Sequence, residues 1–210
     1  GDPSSAAFAV VAAHVVPGSR IIVRGVCVNP TRTGAFDVLR DMGGGVSTQP
    51  GGDAGGEPIG DLHVGASGPV ELRSPARVGG ELAVRAIDEI PALVVAAALS
   101  PRGTSEFRDL RELRVKETDR IEALVAMLRA FQIDCEALDD GLRVGSGRRP
   151  RGGAVVHSRG DHRIAMAASV LALAADGDTV VEDVDCVGTS FPRFVELMRK
   201  LGADIDVEGE

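Results

Sequence analysis

The stretch IDEIPALVVAAALSPRGTSEFRDLRELRVKETDRIEALVAMLRAFQIDCEAL, residues 87–138, contains the architecture of the chain in one unit. After an acidic start it is apolar nearly all round to residue 99, which predicts a helix buried on every side. A Gly-bearing turn and a short alternating strand follow. Asp119, with Glu122 three residues later, then marks a second helix start near residue 118. Ile121, Leu124, Val125, Leu128 and Phe131 recur at three and four, so this helix presents one apolar face. It leads into another strand.

Two further stretches follow the same script: GDPSSAAFAVVAAHVVPGSRIIVRGV…FDVLRDMGGGVST from residue 1, and GDHRIAMAASVLALAADGDTVVEDV…FPRFVELMRKLGADIDV from residue 160. Asp2, Asp88 and Asp161 head the first helices; Met42, Phe131 and Leu201 close the second ones. A unit of this kind cannot cover its own apolar helix, so units pack together. The expected fold is α+β: one domain of three βαβαββ-type repeats, approximately 1–66, 67–145 and 146–210, around buried parallel helices with strands outside them. That is an inside-out, α/β-barrel-like arrangement. TQPGGDAGGEPIG (48–60) and GSGRRPRGG (145–153) are expected as loops or hairpin tips. A doubly wound sheet is not expected, because no Gly-rich phosphate loop follows a strand, and the glycines of DMGGGVS stop a helix.

Composition narrows the function. With 44% hydrophobic and 26% charged residues, the 210-residue chain can bury a real core. Its apolar runs all fall well short of the ~20 residues that span a bilayer, so they are expected inside the protein. No charged-then-apolar leader opens the sequence. Cys27, Cys135 and Cys186 are widely spaced, which favours reduced thiols in a cytoplasm over a zinc site; Cys135 and Cys186 are expected as packing residues. The chain has neither Trp nor Tyr and a formal charge of −8. It offers no base-stacking platform and no attraction to a phosphate backbone, so nucleic acid is not an expected partner.

Six arginines stand against the single acid Asp161 over residues 143–163, a strip that is either a solvated hairpin or a focus for an anion. The helix starts are more specific. Lys116, Arg120 and Arg163 sit where unpaired N–H groups already carry positive charge, at a cost of a few tenths to ~1 kcal/mol each. Either each cation pairs with a neighbour (Lys116 with Glu117, Arg163 with Asp161), or a bound anion reverses the sign of that cost. Recurrence in matching slots of adjacent units points to an anion-binding corner where helix N-termini converge. The first unit has only the neutral capping sets Ser4-Ser5 and Asn29-Pro30 there.

LRVKETDRIEAL, GDHRIAMA, IDEIPALVVAAA and GDPSSAAF resemble the C-terminal lobe of the 5-enolpyruvylshikimate-3-phosphate synthase family, over about residues 1–207. The resemblance implies one lobe of the enolpyruvyl transferase fold. It also implies transfer of enolpyruvyl from phosphoenolpyruvate to the 5-hydroxyl of shikimate 3-phosphate, with release of phosphate, on the shikimate pathway to chorismate and the aromatic amino acids. No metal or organic cofactor is implied, the setting is cytoplasmic, and the family is the target of glyphosate.

By the same resemblance Asp88 takes the proton of the attacking hydroxyl and Glu117 delivers one to the methylene carbon. Lys116 touches the ring hydroxyls and the reacting oxygen. Arg120 and Arg163 hold the phosphoenolpyruvate carboxylate, and His162 orients its neighbours. His14, His63 and His157 are expected to be structural. Asp88 also has a plainer reading as an N-cap, since Asp2 and Asp161 hold like positions. One departure stands out: Thr189 occupies the slot where many members carry a phosphate-contacting Lys.

Family members have two lobes, and this sequence corresponds to one, so the chain alone is expected to be inactive and to associate with an N-terminal lobe. Alternatives are the sister lobe that transfers enolpyruvyl to UDP-N-acetylglucosamine, a non-catalytic repeat domain binding an anion or partner, and, more distantly, RNA-end processing on a related fold.

Overall fold

Apolar helices and short strands alternate along the whole chain. The structure, a computed structural model, describes residues 1–65, 72–101 and 103–208. α1 (Pro3–Val15) leads to β1 (Ile21–Cys27), a 3₁₀ turn at Pro30–Arg32, α2 (Gly34–Asp41), β2 (Val46–Ala54) and β3 (Glu57–Val64). Then come β4 (Arg77–Val78), α3 (Gly80–Arg85), a 3₁₀ turn at Ile87–Glu89, α4 (Ile90–Ala98) and β5 (Thr104–Phe107). A third such turn, Arg111–Val115, precedes α5 (Arg120–Ala130), β6 (Cys135–Leu138) and β7 (Gly141–Gly145). The chain continues through β8 (Ala154–His157), α6 (His162–Ala172), β9 (Thr179–Glu182), α7 (Asp185–Ser190) and α8 (Phe194–Lys200).

α1, α4 and α6 pack against one another at the centre. Every residue of α4 and all but Ser5 of α1 are buried. An apolar stretch without a polar face is stable only with neighbours on every side, and this triple contact supplies them. α5 keeps its expected stripe: Ile121, Leu124, Val125 and Leu128 are buried, while Glu122, Ala126 and Arg129 face out. Each such large side chain taken from water contributes about 1.5–3 kcal/mol.

The described strands form three separate sheets around this centre, β1-β3-β2, β4-β5-β7-β6 and β8-β9, and no closed barrel. The first is antiparallel, the second has one parallel pair (β4 with β5), and the third is parallel. Gly141 is required where β7 passes β5, because a Cβ there would lie 1.8 Å from the Phe107 carbonyl oxygen.

Several expectations change. Segment 48–60 is mostly strand: β2 and β3 are long partners, and only Gly55 and Gly56, both at positive φ, make the turn. Pro50 is tolerated because β2 is an edge strand with a bulge at Pro50/Gly52. Segment 146–153 is a loop, but it joins two different sheets and is no hairpin tip. The second helix expected in the third unit forms as α8, and the short α7 ahead of it, which ends where the chain is extended at Phe191 (φ −142°) before Pro192, was not anticipated. LGADIDV, expected to end in a strand, forms none among the described residues. The short α3 was not anticipated, and the junction expected at 66–67 lies outside the described residues. No described helix is long and apolar enough to cross a membrane.

Candidate active site

The three aspartates that look equivalent in sequence serve different ends. Asp2 accepts from the Ser5 amide at 2.8 Å and Asp161 from the Arg163 amide at 2.9 Å, so they cap α1 and α6. Asp88 caps nothing: it lies within the 3₁₀ turn Ile87–Glu89, and α4 begins after Glu89 without a side-chain cap. Its carboxylate instead lies 3.9 Å from Lys116 Nζ, 3.9 Å from Arg120 Nη1 and 3.8 Å from Arg163 Nη2. The three cations therefore converge on one half-buried carboxylate, Arg120 and Arg163 from the first turns of α5 and α6, and Lys116, expected at a helix start, from the end of the Arg111–Val115 turn.

Neither neighbour pairing weighed from the sequence forms. Lys116 pairs with Glu112, one turn back on the Arg111–Val115 segment, and not with Glu117. The Arg163 guanidinium donates through Nη1 to the Asp88 carbonyl at 2.5 Å and makes no ion pair with Asp161. Asp161 is claimed by Arg120, whose Nε donates to Oδ2 at 2.7 Å and whose Nη2 lies 3.3 Å from Oδ1; the Thr118 hydroxyl adds a bond at 3.2 Å. Arg120 is 1% exposed and Asp161 0%. Burial raises the proton affinity of Asp161, but the Arg120 guanidinium, the Arg163 amide and Thr118 together hold its carboxyl below the usual carboxylate range. Arg120 also donates to Glu117, whose other oxygen lies 4.0 Å from His162 Nδ1. Burial, reinforced by the charge of Arg163, lowers the His162 pKa, which favours the neutral imidazole.

His162 and Arg163 also form one wall of an open depression of about 350 Å³, closed by Ser4 and Ser5 of α1 and by Phe191. The N-termini of α1 and α6 thus face one mouth. All six site residues read from the sequence, Asp88, Lys116, Glu117, Arg120, His162 and Arg163, fall in one contiguous cluster.

Thr189 donates to the Cys186 carbonyl inside α7. His14 is buried on the Val10 carbonyl, and His157 pairs with Glu182; neither contacts the cluster. Half of the arginine strip is spent on local acids: Arg143 on Glu106 and Glu136, Arg148 on Asp134, Arg151 on Asp176. Only Arg163 of that strip reaches the site. Cys135 and Cys186 are partly buried, and all three thiols are unpaired.

Sequence reading did not assign Asp161 as the counter-ion of Arg120, Glu112 as the partner of Lys116, or Thr118 as its support. Asp161 carried a signal, its place at a helix start, but that signal indicates a cap and not an ion pair 41 residues away.

Comparison with known proteins shows what the chain as a whole is similar to. Residues 1–198 match the family model for EPSP synthase (3-phosphoshikimate 1-carboxyvinyltransferase). The 3-phosphoshikimate 1-carboxyvinyltransferase of Geobacter sulfurreducens is 50% identical over 202 residues, which cover 96% of this chain and 46% of that protein. A solved EPSP synthase from Acinetobacter baumannii superposes with a TM-score of 0.92 at 36% identity, over 99% of this chain and 47% of its own. The enolpyruvyl transferase NikO from Streptomyces tendae, at TM-score 0.72 and 21% identity, shares the fold. The chain spans about half the length of the relatives it matches, and its structure corresponds to one lobe of the enolpyruvyl transferase fold. A family match running through nearly all of the sequence, joined to 50% identity with a curated member, establishes descent: the chain belongs to the EPSP synthase family.

Proposed function

We propose that this chain supplies the C-terminal half of an active site that moves enolpyruvyl from phosphoenolpyruvate to the 5-hydroxyl of shikimate 3-phosphate. The other half comes from an N-terminal lobe with which it associates. We read its three units as approximately 1–66, 67–145 and 146–210. The observation that carries the reading is the convergence of Lys116, Arg120 and Arg163 on Asp88 where helix N-termini meet.

In this reading Asp88 is the base for the attacking hydroxyl, held within reach of Lys116, which steadies the oxygen as it loses its proton. Planar guanidinium forks suit a planar carboxylate, so Arg120 and Arg163 take that end of phosphoenolpyruvate. Arg120 is engaged by Glu117, so the substrate carboxylate must take over part of its fork. That exchange frees the Glu117 carboxyl of its cation. Glu117 is then fit to deliver a proton to the methylene carbon. Neutral His162 beside Glu117 orients it, and addition is followed by elimination of phosphate. With Thr189 bonded within its own helix, the substrate phosphate depends on the other lobe. Three unpaired thiols favour a reducing, cytoplasmic setting.

The test mixes this chain with a family N-terminal lobe and measures phosphate release from phosphoenolpyruvate and shikimate 3-phosphate. Turnover is expected from the mixture and none from the chain alone. A folded, associated mixture that forms no product refutes the reading; turnover with a UDP-amino sugar instead transfers it to the sister reaction.

A further inference from the structure

Glu89 is a buried carboxyl next to Asp88 for which the reaction above has no use. It is 2% exposed, and among the described residues it makes no ion pair. The Ser4 hydroxyl of α1 donates to its Oε1. Ser4 is in turn approached by Arg32 Nη2 at 3.4 Å. On the other side, the carbonyl of the adjacent residue Asp88 is the oxygen that receives Arg163 Nη1. One buried side chain therefore stands between the first turn of α1 and the backbone that anchors α6.

We propose that Glu89 is a positioning residue of this site: it fastens the first turn of α1 to the turn carrying Asp88, and so keeps the Asp88 carboxylate and the Arg163 guanidinium in register. The inference rests on the functional reading of the cleft given above. The charged groups facing Glu89 are Arg163 of α6, Arg32 of the first 3₁₀ turn and Asp88 of its own turn, with the Ser4 hydroxyl on α1. Burial raises its pKa, and Asp88 reinforces this, against the lowering pull of Ser4, Arg163 and Arg32.

The test uses the 210-residue chain with Glu89→Gln, Glu89→Ala and Ser4→Ala. Nitrogen-15 NMR reads the Arg163 Nε–H and Asp88 amide resonances, and phosphoenolpyruvate is titrated at neutral pH. Glu89→Ala and Ser4→Ala are expected to shift the Arg163 resonance and weaken phosphoenolpyruvate about tenfold, the worth of one misplaced charge-assisted hydrogen bond. Glu89→Gln keeps an acceptor for Ser4 in nearly the same volume. It is expected to restore the resonances and the affinity.

Unmoved resonances and affinity in the Ala variants overturn the proposal, as does a Gln variant no better than Ala. Should Glu89→Ala unfold, Ser4→Ala decides. If the native chain binds no phosphoenolpyruvate without a partner lobe, the Arg163 and Asp88 resonances alone judge the role of Glu89, and the functional reading is left to the two-lobe test above.

Discussion

Removing the charge of Asp161 while keeping its shape tests how the site is supported from beneath. Asp161→Asn leaves an oxygen to cap α6 and accept from the Arg163 amide, but takes away the negative partner of Arg120. With Arg120 1% exposed, water cannot replace the carboxylate. Breaking a buried pair from one side costs about 3–5 kcal/mol. Glu117 still holds Nη2 and Asp88 still lies 3.9 Å from Nη1, so the lower end, about 3 kcal/mol, is expected. Asp161→Ala also loses the cap, for about 1 kcal/mol more. In urea, with a slope of roughly 2–3 kcal/mol per molar, the Asn midpoint should fall by about 1–1.5 M. Against a total of about 5–15 kcal/mol, the Ala variant approaches the limit of folding.

The pH dependence has a definite sign. A carboxyl held low in the fold stabilises above its unfolded value of 3.8, and that stabilisation is lost as pH falls through the lower folded value. The gap between native and Asn should therefore close in strong acid. Circular dichroism during urea unfolding at neutral and acid pH reads both effects. An Asn variant within about 0.5 kcal/mol of native at neutral pH would falsify the claim that Asp161 neutralises Arg120.

Gly141→Ala should cost at least about 2 kcal/mol and loosen amide protection along β5 and β7, because the added carbon meets the Phe107 carbonyl and the strands must part; ordinary protection there would show that the backbone adapts. Burial lowers the His14 pKa, so the native fold loses stability as pH drops below the unfolded value of 6.5; His14→Leu should make the fall in melting temperature on the acid side shallower, and an unchanged slope would clear His14 of the effect. In the reassembled two-lobed enzyme Glu117→Gln should lower kcat about 10²–10⁴-fold with a smaller change in KM, and near-native turnover would remove Glu117 as proton donor.

What the sequence determined by itself was local. Buried helices, amphipathic α5 and the caps at Asp2 and Asp161 follow from periodicity and capping, which act over three or four residues. Membership of the site was also legible, because its six residues lie in two compact motifs and one helix start. Local rules misjudged 48–60, where glycines and a proline suggested a loop, because tolerance for Pro50 depends on β2 being an edge strand. They could not tell Asp88 from Asp2 and Asp161. That distinction, the burial of Arg120 and the place of Glu89 were decided only by tertiary structure. The bonds concerned join residues 41, 75 and 85 positions apart, and their existence depends on how far each helix is advanced and rotated against its neighbours. No pattern within a single helix encodes that register; it comes from packing α1, α4 and α6 together.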